Sequence, residues 1–216
     1  MPCYTAIYHP AANALAISIH EGATDAVSDN RPENTSPQPN AQGKVDYFAE
    51  SESDKLSHWK KKLGETVVSL VREDFDRRGI GIWPRYEQAL VVDFPKDYKL
   101  YVHKSGDRHV PRGDAYLFGS HYVHVFRSPE EFTPHLKWLM RGSPMKDGRR
   151  DCHCKYCDPS RTQTEISREL HHKKDGGGGR KGGGKRKDGT RGTKKSQFPS
   201  DIPFKDYTKL NTGTAS

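Results

Sequence analysis

Asp151-Cys152-His153-Cys154-Lys155-Tyr156-Cys157-Asp158 holds three of the chain's four cysteines within six consecutive positions, spaced C-x-C-x-x-C. Thiolates at this spacing can turn inward from one tight loop and hold a single soft or borderline ion, most often zinc. Zinc takes four ligands in a tetrahedron, so three cysteines leave one vacancy that a histidine usually fills. Two other readings stand beside this one: a disulfide, which so tight a turn would strain, and reduced thiols that bind nothing. Three thiolates and one imidazole leave no coordination position for water, which makes the expected zinc structural rather than catalytic.

The fourth ligand is sought upstream. Ser128-Pro129-Glu130-Glu131 puts Ser at a helix N-cap, Pro at the first helical position and Glu at the third, a capping box with a favoured N1 proline. The helix it opens carries Phe132, His135, Leu136, Trp138 and Leu139 and stops near Gly142-Ser143-Pro144. His135 lies three residues after Phe132 and four before Leu139, so it shares their inward face. A short polar stretch then leads to the cysteine loop, which makes helix and loop neighbours. The expected metal set is therefore Cys152, Cys154, Cys157 and His135, against the plainer reading of His135 as a core histidine. Among the eleven histidines, His121 at a strand junction is the second candidate. His153 is committed to the loop, and His171 and His172 open the tail.

Composition bounds the remainder. Of 216 residues 32% are hydrophobic and 30% charged, too few apolar groups for the whole chain to bury a core, so part of it is expected to be disordered. No apolar run reaches the length of a membrane span, and Met1-Pro2-Cys3-Tyr4 lacks the pattern that opens a signal peptide. The expected compartment is reducing, cytosol or nucleus. The formal charge of +8 is local: Lys173–Lys195 holds ten Lys/Arg against two Asp, and the other residues balance at 26 basic and 26 acidic. A nucleic-acid contact argued from net charge therefore belongs to the tail and not to the folded part.

Along the chain, Leu15, Ile17 and Ile19 alternate with small residues as in a half-buried strand, or belong to an appended peptide that does not pack. Gly22–Gln42 turns to Ser, Asn, Pro and Gln and reads as a disordered linker. The fold is expected to begin near Val45, leaving 1–44 as a low-complexity region with a weak strand over 14–19. Leu56, Trp59, Leu63, Val67, Leu70, Val71 and Phe75 recur at helical steps. Asp54 is a candidate cap, Gly79 a stop, and Gly64 a candidate break with Thr66 opening a second helix. Strands are expected over 89–92, 98–103, 115–118 and 122–126, with Ser105-Gly106-Asp107 as a turn, in an antiparallel meander. The predicted class is α+β: a small antiparallel sheet with flanking helices and a zinc-knuckle-like loop over 45–160, then a disordered basic tail over 161–216.

A set of segments carries a resemblance. It comprises Trp59-x-x-x-Leu63-Gly64, Phe94-Pro95-Lys96-Asp97-Tyr98-Lys99-Leu100-Tyr101, Asp114-Ala115-Tyr116-Leu117-Phe118-Gly119, the run from Phe126 to Leu139, and Cys152-x-Cys154-Lys155-x-Cys157. Together they resemble the N-terminal domain of the fungal cryptic-loci-regulator transcription-silencing proteins, over roughly Val45 to Asp158. Where that family usually reads Gly-His, Ser120 here separates Gly119 from His121. The resemblance implies a subunit of a histone-deacetylase and chromatin-remodelling complex that silences heterochromatin. Its partners would be the protein subunits of that complex. Family members typically continue into further chromatin-associated modules, and this chain is expected to be a stand-alone or diverged version.

In the tail, Lys173-Lys174 and Lys185-Arg186-Lys187 are separated by ten residues, the spacing of a bipartite nuclear-import signal. The same cations suit non-specific phosphate contact with DNA or chromatin, or merely keep a flexible tail in solution. Phe198, Ile202, Phe204 and Tyr207 are a candidate docking peptide. The leading expectation is a non-enzymatic nuclear interaction module folded around structural zinc. The alternative is a zinc-containing protein whose domain grips DNA or RNA itself, through a face built from His103, Lys104, Arg108 and Arg112. A metalloenzyme is disfavoured, because His-Glu-x-x-His, Gly-x-Ser-x-Gly and phosphate-loop patterns are missing from the sequence.

Overall fold

A computed structural model describes residues 2–80, 83–158, 160–162 and 165, all within one compact unit. In chain order the elements are β1 (Tyr4–His9), β2 (Ala14–Ile19), β3 (Lys44–Glu50), α1 (Ser53–Arg77), β4 (Gln88–Val91), β5 (Lys99–Asp107), β6 (Arg112–Phe118), α2 (Pro129–Met140), β7 (Met145–Lys146) and β8 (Arg149–Arg150). They form an α+β fold with two three-stranded sheets, ordered β1-β2-β4 and β3-β5-β6, and the short β7-β8 hairpin. The second sheet is antiparallel throughout, with Phe48 opposite His103 and Tyr101 opposite Tyr116.

The first sheet departs from the expected meander, because β4 pairs in parallel with β2, Ala14 opposite Gln88 and Ile17 opposite Val91. A parallel pair needs a long crossover, and the chain from residue 20 to 87 supplies it. The fold accordingly starts well before Val45: Tyr4, Leu15 and Ile17 share one core with Trp59, Leu63, Val91, Leu117 and Leu139. Nor is Gly22–Gln42 a free linker. Thr24 Oγ1 donates to the Lys96 carbonyl at 2.7 Å, Val27 N to Gly119 at 2.8 Å, and Arg31 Nη2 to Asp97 at 2.8 Å. Asn30 Nδ2 donates to both Ser120 O and Val123 O. Ala23 is buried and Ala26 packs on the core, but hydrogen bonds to distant backbone fix most of the strap, which is why composition is silent about it.

α1 runs unbroken through Gly64, with Glu52 at its N-cap and Asp54 in the first turn near the positive end of the helix dipole. A Cβ at Gly64 would stand 2.4 Å from Ala89 O and Leu90 Cα. The glycine therefore lets the helix lie directly on β4 and does not break it. Ser105-Gly106-Asp107 continues β5, and the chain turns one step later, over 108–111. Residues 122–126 form no strand, only a bridge from Phe126 to Leu117. Phe126 is wholly buried in the core.

α2 begins as its signature requires. The Ser128 side chain accepts from Glu131 N at 3.2 Å, and Glu131 Oε2 reaches back to Arg127 N at 2.8 Å. The helix packs against α1, where Thr66 and Thr133 share a hydrogen bond of 2.8 Å, and it buries Phe132, His135, Leu136 and Leu139 completely. Beyond α2 the Asp147-Gly148 turn, with φ of 50° and 73°, closes the β7-β8 hairpin. That hairpin folds the chain back toward α2, and Trp138 Nε1 holds its base by donating to Pro144 O at 2.9 Å.

Candidate metal centre

The cysteine loop follows the hairpin as a tight turn. Cys157 N donates to Cys154 O at 3.2 Å and Asp158 N to the same carbonyl at 2.8 Å, while Cys157 N lies 3.2 Å from Cys154 Sγ. These bonds turn the three sulfurs toward the inward face of α2. There His135 Nδ1 stands 3.4 Å from Cys152 Sγ, 3.8 Å from Cys154 Sγ and 3.7 Å from Cys157 Sγ. The four donor atoms all lie within 4.8 Å of one another. A zinc ion with ordinary bond lengths to sulfur and nitrogen sets the nitrogen-to-sulfur edges of its tetrahedron at about 3.6 Å. The residues therefore fit the ion in donor chemistry and in edge length. Cys152, Cys154 and Cys157 form no disulfide.

The surroundings are dry and aromatic. His135 is fully buried, with Phe126, Phe132 and Trp138 around its ring at centroid distances of 5.2, 6.1 and 5.2 Å. Without a metal, burial works to lower the His135 pKa, but hydrogen bonds with Asp25, Cys154 and Cys157 outweigh it and hold the ring well above the ordinary histidine range. Hydrogen bonds with Cys152 and Cys154 pull the Cys157 thiol far below its usual range, and those with Cys154 and Cys157 push Cys152 up. A cation entering between these donors would displace the protons still held by the imidazole Nδ1 and by the thiols.

Several residues around the centre carry no signal in the sequence. Asp25, in the strap, places Oδ2 3.2 Å from His135 Nε2. The same carboxylate accepts from Ser120 Oγ at 2.7 Å and from the Tyr98 hydroxyl. Burial would raise the Asp25 carboxyl, yet the bonds with His135, Tyr98 and Ser120 leave it below the usual carboxylate range. Glu131, legible only as a cap, also accepts from Tyr156 in the loop at 3.0 Å and faces Lys155 at 3.7 Å. Its buried carboxylate therefore joins the start of α2 to the cysteine turn. No spacing rule could find Asp25, which sits 110 residues from the histidine it meets.

Of the other candidates, His121 stacks edge-on against Tyr122 and takes no place in the donor cluster. His153 points outward, 3.4 Å from Asp151. In the candidate basic face, His103 meets Asp46 at 2.5 Å and Arg112 meets Asp114 at 2.8 Å, so acids offset two of its four members. His171, His172, the tail cations Lys173, Lys174, Lys185, Arg186 and Lys187, and the segment from Phe198 to Tyr207 lie outside the described residues. Among the described residues no helix is long and apolar enough to cross a membrane.

Comparison with known proteins gives two findings. Residues 90–157 match the family model of the transcription-silencing protein, cryptic loci regulator Clr2. That span runs from β4 through α2 to the last cysteine of the loop. A solved structure of Clr2 bound to the Clr1 C-terminus is similar at 19% identity and a TM-score of 0.43, over 70% of this chain and 33% of that one. The chain thus spans about a third of the length of the solved relative. No curated protein matches it.

Proposed function

We propose, from the match of residues 90–157 to the family model of the transcription-silencing protein Clr2, that this chain is a Clr2-like, non-enzymatic interaction module of nuclear silencing machinery, folded around a structural zinc ion. The observation that carries this reading is that the family match and the Cys3His cluster coincide, since all four donor residues fall within the matched segment. The zinc would be held by Cys152, Cys154, Cys157 and His135. With four protein donors its place is closed to substrate, and its role is to hold α2 and the loop together. The partners would be protein subunits of a heterochromatin-silencing, histone-deacetylase complex. The cations at Lys173, Lys174, Lys185, Arg186 and Lys187 would serve nuclear import or non-specific chromatin contact.

The test combines metal content with phenotype. The purified full chain is expected to carry one zinc per molecule by elemental analysis, and loss of the gene to derepress a reporter placed in heterochromatin. A silent reporter together with a zinc-free protein would refute the reading. The competing view, direct DNA or RNA grip by the domain, is separated by replacing the ten Lys/Arg of 173–195 with Gln in the full chain. Binding that stays tight after this change would favour the domain over the tail.

A further inference from the structure

The Asp25 carboxylate stands behind the candidate metal centre, on the Nε2 side of His135. Its side chain is 7% exposed and faces a His135 side chain that is wholly buried. It takes hydrogen bonds from three places that are distant in sequence: Tyr98 just before β5, Ser120 just after β6, and His135 in α2. On the other side of the imidazole, Nδ1 faces three sulfurs at 3.4 to 3.8 Å. A neutral imidazole carries one proton. A carboxylate at Nε2 claims that proton and leaves Nδ1 bare for a metal, and such outer partners also fix the ring's orientation and raise its basicity. Asp25 itself is held by the strap, whose Val27, Asn30 and Arg31 bond to the backbone of residues 97–123.

We propose that Asp25 is a positioning residue for the metal centre. Its carboxylate orients His135 with Nδ1 toward the thiolates, so that metal binding and docking of the strap over residues 24–31 form one linked equilibrium. The inference rests on the zinc reading and deepens it: the clasp that closes α2 onto the cysteine loop also secures a segment more than a hundred residues away. Linkage is reciprocal. Zinc must favour the docked strap by the same factor by which the docked strap favours zinc.

The full chain and its Asp25→Ala and Asp25→Asn variants are compared by competition with a chromophoric zinc chelator. Their cobalt(II) derivatives are compared by absorption, and hydrogen exchange is followed with and without zinc. Asp25→Ala is expected to weaken zinc binding about ten- to a hundredfold and to shift the cobalt spectrum, because the ring is no longer held. Asp25→Asn, whose amide oxygen still accepts the Nε2 proton, is expected to lose less. In the unaltered chain, zinc removal should speed exchange of amides in 24–31 by a larger factor than those of α1 and β4. Zinc affinity and cobalt spectrum unchanged in Asp25→Ala would overturn the proposal and leave the zinc site standing. A chain that binds no zinc at all would instead overturn the zinc reading beneath it. Should Asp25→Ala fail to fold, the exchange experiment decides alone: equal loss in strap and core, or no loss, overturns the linkage.

Discussion

Cys154 is the pivot of the loop, since its carbonyl accepts from two following amides while its wholly buried sulfur faces His135. Replacing it with Ser keeps the size and removes the soft donor. The Cys154→Ser protein is expected to lose its zinc by elemental analysis and to be cut by protease near the loop, where the unaltered protein resists. A second residue ties the N-terminus to α1. Tyr4 donates to Asp74 Oδ2 at 2.7 Å, and burial, with that bond adding to it, pushes its phenol above the usual tyrosine range. A folded-state pKa above the unfolded value of about 10 means stability that is complete below pH 10 and is lost as the pH rises beyond it. Tyr4→Phe is therefore expected to cost about 1 kcal/mol near neutral pH and to flatten the alkaline decline in the urea midpoint.

Among the elements, α1 and α2 illustrate opposite relations between local preference and packing. Gly64→Ala improves helix propensity by about 1 kcal/mol, yet its methyl would meet the β4 backbone at 2.4 Å. Overpacking against backbone that cannot move typically costs about 1–3 kcal/mol, so the variant is expected to be less stable by thermal melting despite the better helix former. At α2, sequence and structure agree: Ser128 accepts from Glu131 N, and Ser128→Ala is expected to lower stability by about 1 kcal/mol. Ser128→Asp should retain most of it, which a paired denaturant titration would show.

For the whole molecule, a zinc ion held by the four donors would weigh as heavily as the core. A structural zinc site contributes on the order of 10–16 kcal/mol apparent, against a net domain stability of about 5–15 kcal/mol. Chelation is therefore expected to lower the Tm by roughly 20 °C or more, given about 2–4 °C per kcal/mol for a domain of 150–250 residues. Readdition of zinc should restore it. Several parts of this arrangement are legible along the chain, because they depend on neighbours: the C-x-C-x-x-C spacing, the Ser128 capping box, and the three- and four-residue steps that put His135 on the inward face of α2. Local rules act over a few residues, and these signals span no more. What lay beyond them was the parallel pairing of β2 with β4, the passage of α1 through Gly64, and the strap that brings Asp25 to His135. Those depend on surfaces meeting across about 25 to 110 residues. There a glycine reads as a break when it is a close approach, and a polar segment reads as a linker when its hydrogen bonds lie on distant backbone. The sequence by itself singled out the thiols that could bind a metal and offered His135 on α2, with His121 as the second candidate, for the fourth donor. Only the tertiary structure decided what stands behind that donor, since a buried carboxylate acquires its partners from the packing of the entire fold.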